Sequence, residues 1–215
     1  MRKEVDIKTY TALPDCRRDE ILRFAGVRGK ANGELQTLLE ECLKECDGVF
    51  TARVCYLELT VEEFFCYFPP CEKAKTATAG CETVLVFAAT VGIEIDRLMY
   101  RYANVSPTKS LLMQAIGAER IETLCDAFCE ELKEEKGLYP QTRFSPGYGD
   151  FSLKEQKQIF ALLQPEKRIG VGLTESLTMT PTKSVTAVVG LKNVPYEKGT
   201  ACEKCKKTNC DYRKG

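Results

Sequence analysis

Three cysteines near the C-terminus, Cys202, Cys205 and Cys210, have the spacing of metal ligands. Two thiolates separated by two residues can meet at one metal ion across a tight turn, and a third can occupy another corner of a tetrahedron. The spacing suits zinc or an iron–sulfur cluster, with a fourth ligand from another cysteine, a partner or a non-protein group. Residues 200–215 are therefore predicted to be a metal-binding tail, and the alternative is a tail with three reduced thiols.

A second group of candidate residues lies in the Pro- and Gly-rich segment 143–148. Arg143 supplies a guanidinium for a carboxylate, Gly147 permits close backbone approach, and Tyr148 adds an aromatic face that attracts cations. This is the chemistry of a small-molecule anchor. An arginine ion pair in an ordinary turn is the alternative, and the segment by itself does not decide between them.

The composition excludes several function classes. The 215 residues include 31 Lys and Arg, 31 Asp and Glu, 12 Cys and no His. Histidine-based triads, bases and metal sites are therefore excluded. Zero formal charge argues against nucleic acid and acidic membranes as partners. We expect a reducing cytoplasm, because the N-terminal residues do not resemble a signal peptide and the longest apolar run, residues 83–93, is too short to span a bilayer.

Apolar periodicity predicts the elements that must position these residues. Helical spacing indicates a short helix capped by Asp15, a helix over residues 35–46, a long helix over 107–136, and a helix that begins at a Ser152–Glu155 capping box. One or two strands are expected in residues 49–68, a buried strand in 83–90, and a strand pair formed by 169–173 and 185–191. Helices and strands without regular alternation indicate an α+β fold.

Several motifs, in their order and spacing, carry a family resemblance. The motifs are Arg143-x-x-Pro-Gly-Tyr148, Gly172-Leu-Thr-Glu-Ser176, Met179-x-Pro181 and Ser184-Val185. The sequence resembles the activation domain of cobalamin-dependent methionine synthase, and in particular the stand-alone activation-domain proteins of anaerobes. The resemblance implies one compact domain over residues 1–199, with a mainly antiparallel twisted sheet, surrounding helices and one long central helix.

The resemblance also implies a ligand and the residues that bind it. The ligand is S-adenosylmethionine, and the activity is reductive methylation of a corrinoid cofactor. Arg143 would hold the carboxylate of the ligand, and Asp126 stands where the family has an acidic residue. Val189 and Gly190 stand where the family has aromatic contacts to the ligand. The full candidate set is Arg143, Pro146, Gly147, Tyr148, Asp126, Glu175, Val189 and Gly190.

The partners follow from the same resemblance. The chain contains no recognisable corrinoid module, so the corrinoid is expected in trans, on a corrinoid protein or a cobalamin-dependent methyltransferase. A reductant such as flavodoxin or ferredoxin would supply an electron, and the chain would then be the activation component of an enzyme. Two alternatives stay open: a non-catalytic docking or sensing module for a corrinoid protein, and a small metal or iron–sulfur electron-transfer protein.

Overall fold

The computed structural model describes residues 4–195, and these are built around a mainly antiparallel sheet. Its strands run in the order β1-β2-β3-β7-β4, and each neighbouring pair is antiparallel. A separate pair, β5 and β6, forms a small second sheet. The strands are β1 (Asp6–Tyr10), β2 (Ala52–Leu59), β3 (Thr83–Thr90), β4 (Tyr139–Pro140), β5 (Gly172–Leu173), β6 (Met179–Thr180) and β7 (Ser184–Lys192).

Eight helices surround the main sheet within the described part of the chain, so the predicted α+β class is confirmed. The helices are α1 (Arg18–Phe24), α2 (Gly33–Glu45), α3 (Val61–Tyr67), α4 (Glu72–Thr78), α5 (Glu94–Tyr102), α6 (Pro107–Lys136), α7 (Glu155–Leu163) and α8 (Pro165–Ile169). The predicted domain boundary at residue 199 lies outside the described residues.

The central strand β3 is apolar on both faces because each face has its own core. Side chains alternate across a strand, so Leu85 and Phe87 lie on one face and Val84 and Val86 on the other, all fully buried. The first core includes α2 and α6, whereas the second includes α3, α7 and α8. This two-sided burial explains why residues 83–90 read as a continuous apolar run.

The long helix α6 crosses the first core and confirms the prediction of a long central helix. It begins at Pro107, where a missing amide hydrogen costs nothing, and ends before Gly137, whose φ of 64° is left-handed. Phe128 of α6 packs between Tyr56 of β2 and Phe87 of β3, with ring centroids 5.2 Å from each. The helix is therefore attached to the sheet near the middle of its C-terminal half.

Four of the predicted local features are wrong. Residues 61–67 form helix α3 and not a strand, because Thr60 and Glu63 form a capping box that starts a helix after β2. Asp15 forms no side-chain cap at α1, and the Ser152–Glu155 capping box is not formed at α7. The Oγ atom of Ser152 instead accepts a hydrogen bond from the amide of Lys154, in the turn before α7. The expected strand pair is also absent, because β5 pairs with β6 while β7 pairs with β3 and β4. Strand β1 and the short helices α4 and α8 were not expected.

Gly190 provides a stability test of the packing between β7 and α4. A Cβ atom at Gly190 would collide with Sγ of Cys81 and lie 3.1 Å from the carbonyl oxygen of Ala77. We predict that Gly190→Ala lowers the free energy of unfolding by about 1–3 kcal/mol through overpacking. Urea denaturation of the wild type and the variant would measure this change in the free energy of unfolding. Gly33→Ala is the control, because nothing lies within 4 Å of its added Cβ; equal stability of both variants would contradict the tight packing.

Candidate functional site

An open groove with a volume of about 1330 Å³ lies between the C-terminal half of α6 and the segment that follows it. Helix α6 contributes residues spaced three or four apart, which share one helix face. The opposite wall comes from residues 139–149, and the remainder comes from the first half of β7 together with Lys73, Gln156, Met179 and Pro195. The α6 side chains in the groove are Glu122, Cys125, Asp126, Cys129, Glu130 and Lys133.

The segment that carries Arg143 is attached to β7 by backbone hydrogen bonds. The amide of Phe144 donates to the carbonyl of Val188 over 3.0 Å, and the amide of Val188 donates back over 2.8 Å. The Phe144 side chain is buried in the second core, where its ring lies 5.3 Å from that of Phe151. Because neighbouring side chains in extended backbone point to opposite sides, Arg143 is directed toward α6.

Arg143 lies between two carboxylates of α6. Its Nη1 donates to Oδ1 of Asp126 over 2.8 Å and contacts Sγ of Cys129 at 3.7 Å, and its Nη2 donates to Oε2 of Glu122 over 3.1 Å. The Arg143 side chain is mostly buried, whereas both acidic side chains are about half exposed. The groove thus holds one cation and two anions, which a ligand with one negative and two positive groups could match.

The charge state of Arg143 is secure. Burial would lower the pKa of its guanidinium, but interactions with the side chains of Cys125, Cys129 and Asp126 outweigh this effect and hold the pKa above its usual value. Arg143 is therefore a permanent cation in the groove.

Residues 146–148 form a tight turn at the rim of the groove. Gly147 has a φ of 93°, which favours glycine, and its amide donates to the carbonyl of Phe151 over 2.8 Å. Tyr148 is 68% exposed and so presents its ring at the mouth of the groove. Asp150 accepts hydrogen bonds from the amides of Glu72 and Lys73, which attaches the end of the turn to α4.

The structure brings only part of the predicted site together. Asp126, Pro146 and Tyr148 line the groove with Arg143, and Gly147 shapes its rim. Glu175 is exposed in the turn between β5 and β6, away from the groove lining. Val189 is fully buried in the first core, and Gly190 lies against Cys81. Those three residues are therefore not neighbours of Arg143 in the groove.

Two groove residues that contact Arg143 were not predicted from the sequence. Glu122 binds Arg143 directly, and Cys129 contacts the same guanidinium. The spacing of four residues between Glu122 and Asp126 could have indicated Glu122, because residues four apart share a helix face. No sequence signal distinguished Cys129 from an ordinary packing cysteine.

The predicted metal ligands Cys202, Cys205 and Cys210 lie outside the described residues. Within residues 4–195, no group of three or more Cys, Asp or Glu side chains is arranged to hold a metal ion. Over the same residues, none of the helices has both the length and the apolar character needed to cross a membrane.

The fold and the groove together define a class, an α+β domain whose open groove suits a small ligand with charges of both signs. Residues 73–214 match the family model of the activation domain of vitamin B12-dependent methionine synthase, so the chain belongs to that family. The fold is similar to the crystal structure of the MetH reactivation domain bound to AdoHcy, with a TM-score of 0.58 and 16% sequence identity. The alignment covers 88% of this chain and 78% of that one. The resemblance seen in the sequence is thereby confirmed.

The groove cysteines should be poorly reactive near neutral pH. Burial raises the pKa of Cys125 and also that of Cys129, so both stay protonated, and the thiol form is a poor nucleophile. We predict that iodoacetamide modifies exposed Cys66 at least about tenfold faster than either groove cysteine. Raising the pH should reduce this difference in modification rate, because a larger fraction of the groove cysteines becomes thiolate. Peptide mass spectrometry of timed samples would measure this. Cys129 reacting as fast as Cys66 would contradict the assigned burial.

Proposed function

We propose that this protein binds S-adenosylmethionine in the groove around Arg143 and presents its methyl group to a corrinoid carried by a partner protein. The single observation that carries the proposal is the position of Arg143, held between Asp126 and Glu122 in an open groove. Membership of the activation-domain family supports it. So does the fold shared with a reactivation domain that was solved with AdoHcy.

The charges of the proposed ligand match those of the groove. S-adenosylmethionine has a carboxylate, an ammonium and a sulfonium. Its carboxylate would take the guanidinium of Arg143 in a charge-assisted pair, and the released Asp126 and Glu122 carboxylates would face the two positive centres. Tyr148 at the rim offers a π-face to the sulfonium side of the ligand. Binding would thus exchange ion pairs without leaving a charge unmatched.

Other components of the proposed reaction come from partners. Reductive methylation transfers the methyl group from the sulfonium to the corrinoid and consumes one electron. We propose that a corrinoid protein or a cobalamin-dependent methyltransferase carries the corrinoid, and that a reductant such as flavodoxin or ferredoxin supplies the electron. The exposed rim around Tyr148 leaves the ligand accessible to such a partner.

A second candidate function is a docking or sensing module that binds the ligand or the partner without turnover. One observation favours it: Val188 and Val189 are fully buried, so this part of β7 offers no aromatic face to adenosine. A methylation assay with a corrinoid protein, a reductant and S-adenosylmethionine separates the two functions. Methylcorrinoid formation that depends on this protein supports the first, and ligand binding without methylcorrinoid formation supports the second.

Arg143 should be essential for ligand affinity. We predict that Arg143→Ala weakens binding of S-adenosylmethionine about 10- to 100-fold, because a hydrogen-bonded charge pair is lost. Arg143→Lys should recover only part of the affinity, because an ammonium cannot form the two parallel hydrogen bonds of a guanidinium. Isothermal titration calorimetry would measure the affinity of both variants for S-adenosylmethionine.

Arg97→Ala is the matched control for this experiment. Arg97 is an exposed arginine that pairs with Glu94 on the surface of α5, away from the groove lining. Its replacement should leave the affinity unchanged. Wild-type protein that fails to bind S-adenosylmethionine, or an Arg143→Ala variant that binds normally, would overturn the proposal.

The metal-binding tail remains a proposal of its own. If Cys202, Cys205 and Cys210 hold zinc or an iron–sulfur cluster, anaerobically purified protein should contain stoichiometric metal, and an iron–sulfur cluster should also absorb visible light. Replacing the three cysteines together with serine should abolish both signals. Cys42→Ser, at a buried position of α2, is the control. Metal-free, colourless wild-type protein would refute the proposal.

A further inference from the structure

Arg17, outside the groove lining, joins a buried charged cluster to the groove. Its Nε donates to Oε1 of Glu119 over 2.9 Å, and its Nη2 donates to Oγ1 of Thr123 over 3.2 Å. Its Nη1 lies 3.6 Å from Oδ2 of Asp126. One guanidinium thus contacts three side chains on successive turns of the same face of α6.

The side of this guanidinium that faces Glu119 is firmly held. Glu119 is fully buried and also accepts hydrogen bonds from Thr123 and Arg120. Burial would raise the pKa of Glu119, but the hydrogen bonds from Thr123, Arg17 and Arg120 outweigh it, and the pKa lies below its usual value. A buried carboxylate in its charged form keeps its cationic partners in place, so Arg17 has a fixed orientation.

The two oxygens of Asp126 have different partners. Oδ1 accepts a hydrogen bond from Arg143 over 2.8 Å, whereas Oδ2 faces Arg17 at 3.6 Å. When a ligand carboxylate takes Arg143, Oδ1 loses its partner but Oδ2 does not. The carboxylate of Asp126 then stays beside the groove with Oδ1 free to accept the ligand's ammonium.

We propose that Arg17 is a positioning residue that orients Asp126 for the ammonium group of the ligand. This inference rests on the proposed function of the groove. Arg17 acts through Asp126, since it does not line the groove itself. Its contribution is therefore specific to ligands that carry an α-amino acid group.

Arginine is required because three contacts diverge from one planar group. A lysine at position 17 would keep one positive charge and remain beside buried Glu119, where the charge is needed most. It could not also reach Asp126, because a single ammonium lacks the divergent donors of a guanidinium. Arg17→Lys therefore separates the positioning role from the stabilisation of Glu119.

The test compares two ligands by calorimetry with the full chain. S-adenosylhomocysteine carries the amino acid group, whereas 5′-methylthioadenosine lacks it. We predict that Arg17→Lys weakens binding of S-adenosylhomocysteine about two- to fivefold, the range for a partly exposed charge pair, and leaves binding of 5′-methylthioadenosine unchanged. In the Asp126→Asn background the same Arg17→Lys substitution should have no further effect.

Arg18→Gln is the matched control. Arg18 is the next residue in the chain, and its exposed side chain pairs with Glu40 on α2. This variant should bind both ligands as the wild type does.

The outcomes separate this inference from the proposed function. Wild-type protein that binds neither ligand refutes the proposed function, and this inference with it. Wild-type binding with unchanged affinity of Arg17→Lys for S-adenosylhomocysteine refutes only the role of Arg17. An equal loss of affinity for both ligands also refutes the role of Arg17, because a purely structural effect would not depend on whether the ligand carries the amino acid group. A loss of affinity that persists in the Asp126→Asn background refutes it as well, because Arg17 is proposed to act through Asp126.

Discussion

Burial of the central strands on both faces is the constraint on which the remainder of the structure depends. Each face of β3 and β7 needs its own cover, so α6 lies over one face and α7 over the other. The chain must therefore pass from one face to the other between these helices, and residues 139–151 do so along the edge of β7. Phe144 enters the second core at this passage, which leaves neighbouring Arg143 beside α6. The position of the candidate ligand site is thus a consequence of how the sheet is covered.

The acidic residues of α6 differ in how firmly their ion pairs are held. Near the middle of the helix, Glu119 is fully buried between Arg17 and Arg120, and removing Glu119 would leave the buried guanidinium of Arg120 without this anion. One and two turns later, Glu122 and Asp126 are about half exposed, and ion pairs in such positions contribute about 1 kcal/mol or less. A ligand can therefore replace the outer pairs at small cost while the inner cluster keeps the helix and the N-terminal segment in place.

The sequence predicted the elements whose apolar residues follow a regular period, and it did not predict elements with competing local signals or contacts between distant parts of the chain. The long helix and strand β3 were predicted because their apolar residues follow a regular period. Helix α3 was missed because its aromatic residues suggested a strand, although the capping residues Thr60 and Glu63 are visible in the sequence. Part of the groove was predicted by the Arg143 motif. The link from Arg17 to Glu119 was not, because the two residues are 102 positions apart and only the fold brings them together.

The chemistry of the groove agrees with the kind of reaction proposed for it. Arg143 is a permanent cation that pairs with the carboxylates of Asp126 and Glu122, and burial raises the pKa of the neighbouring thiols of Cys125 and Cys129. The groove thus presents charged groups to a ligand beside two neutral thiols. Methyl transfer from a sulfonium needs no proton transfer, because the leaving group departs as a neutral thioether. In the proposed reaction, a chain without histidine would support such a step by placing charges around the ligand, and the corrinoid of a partner would provide the reactive centre.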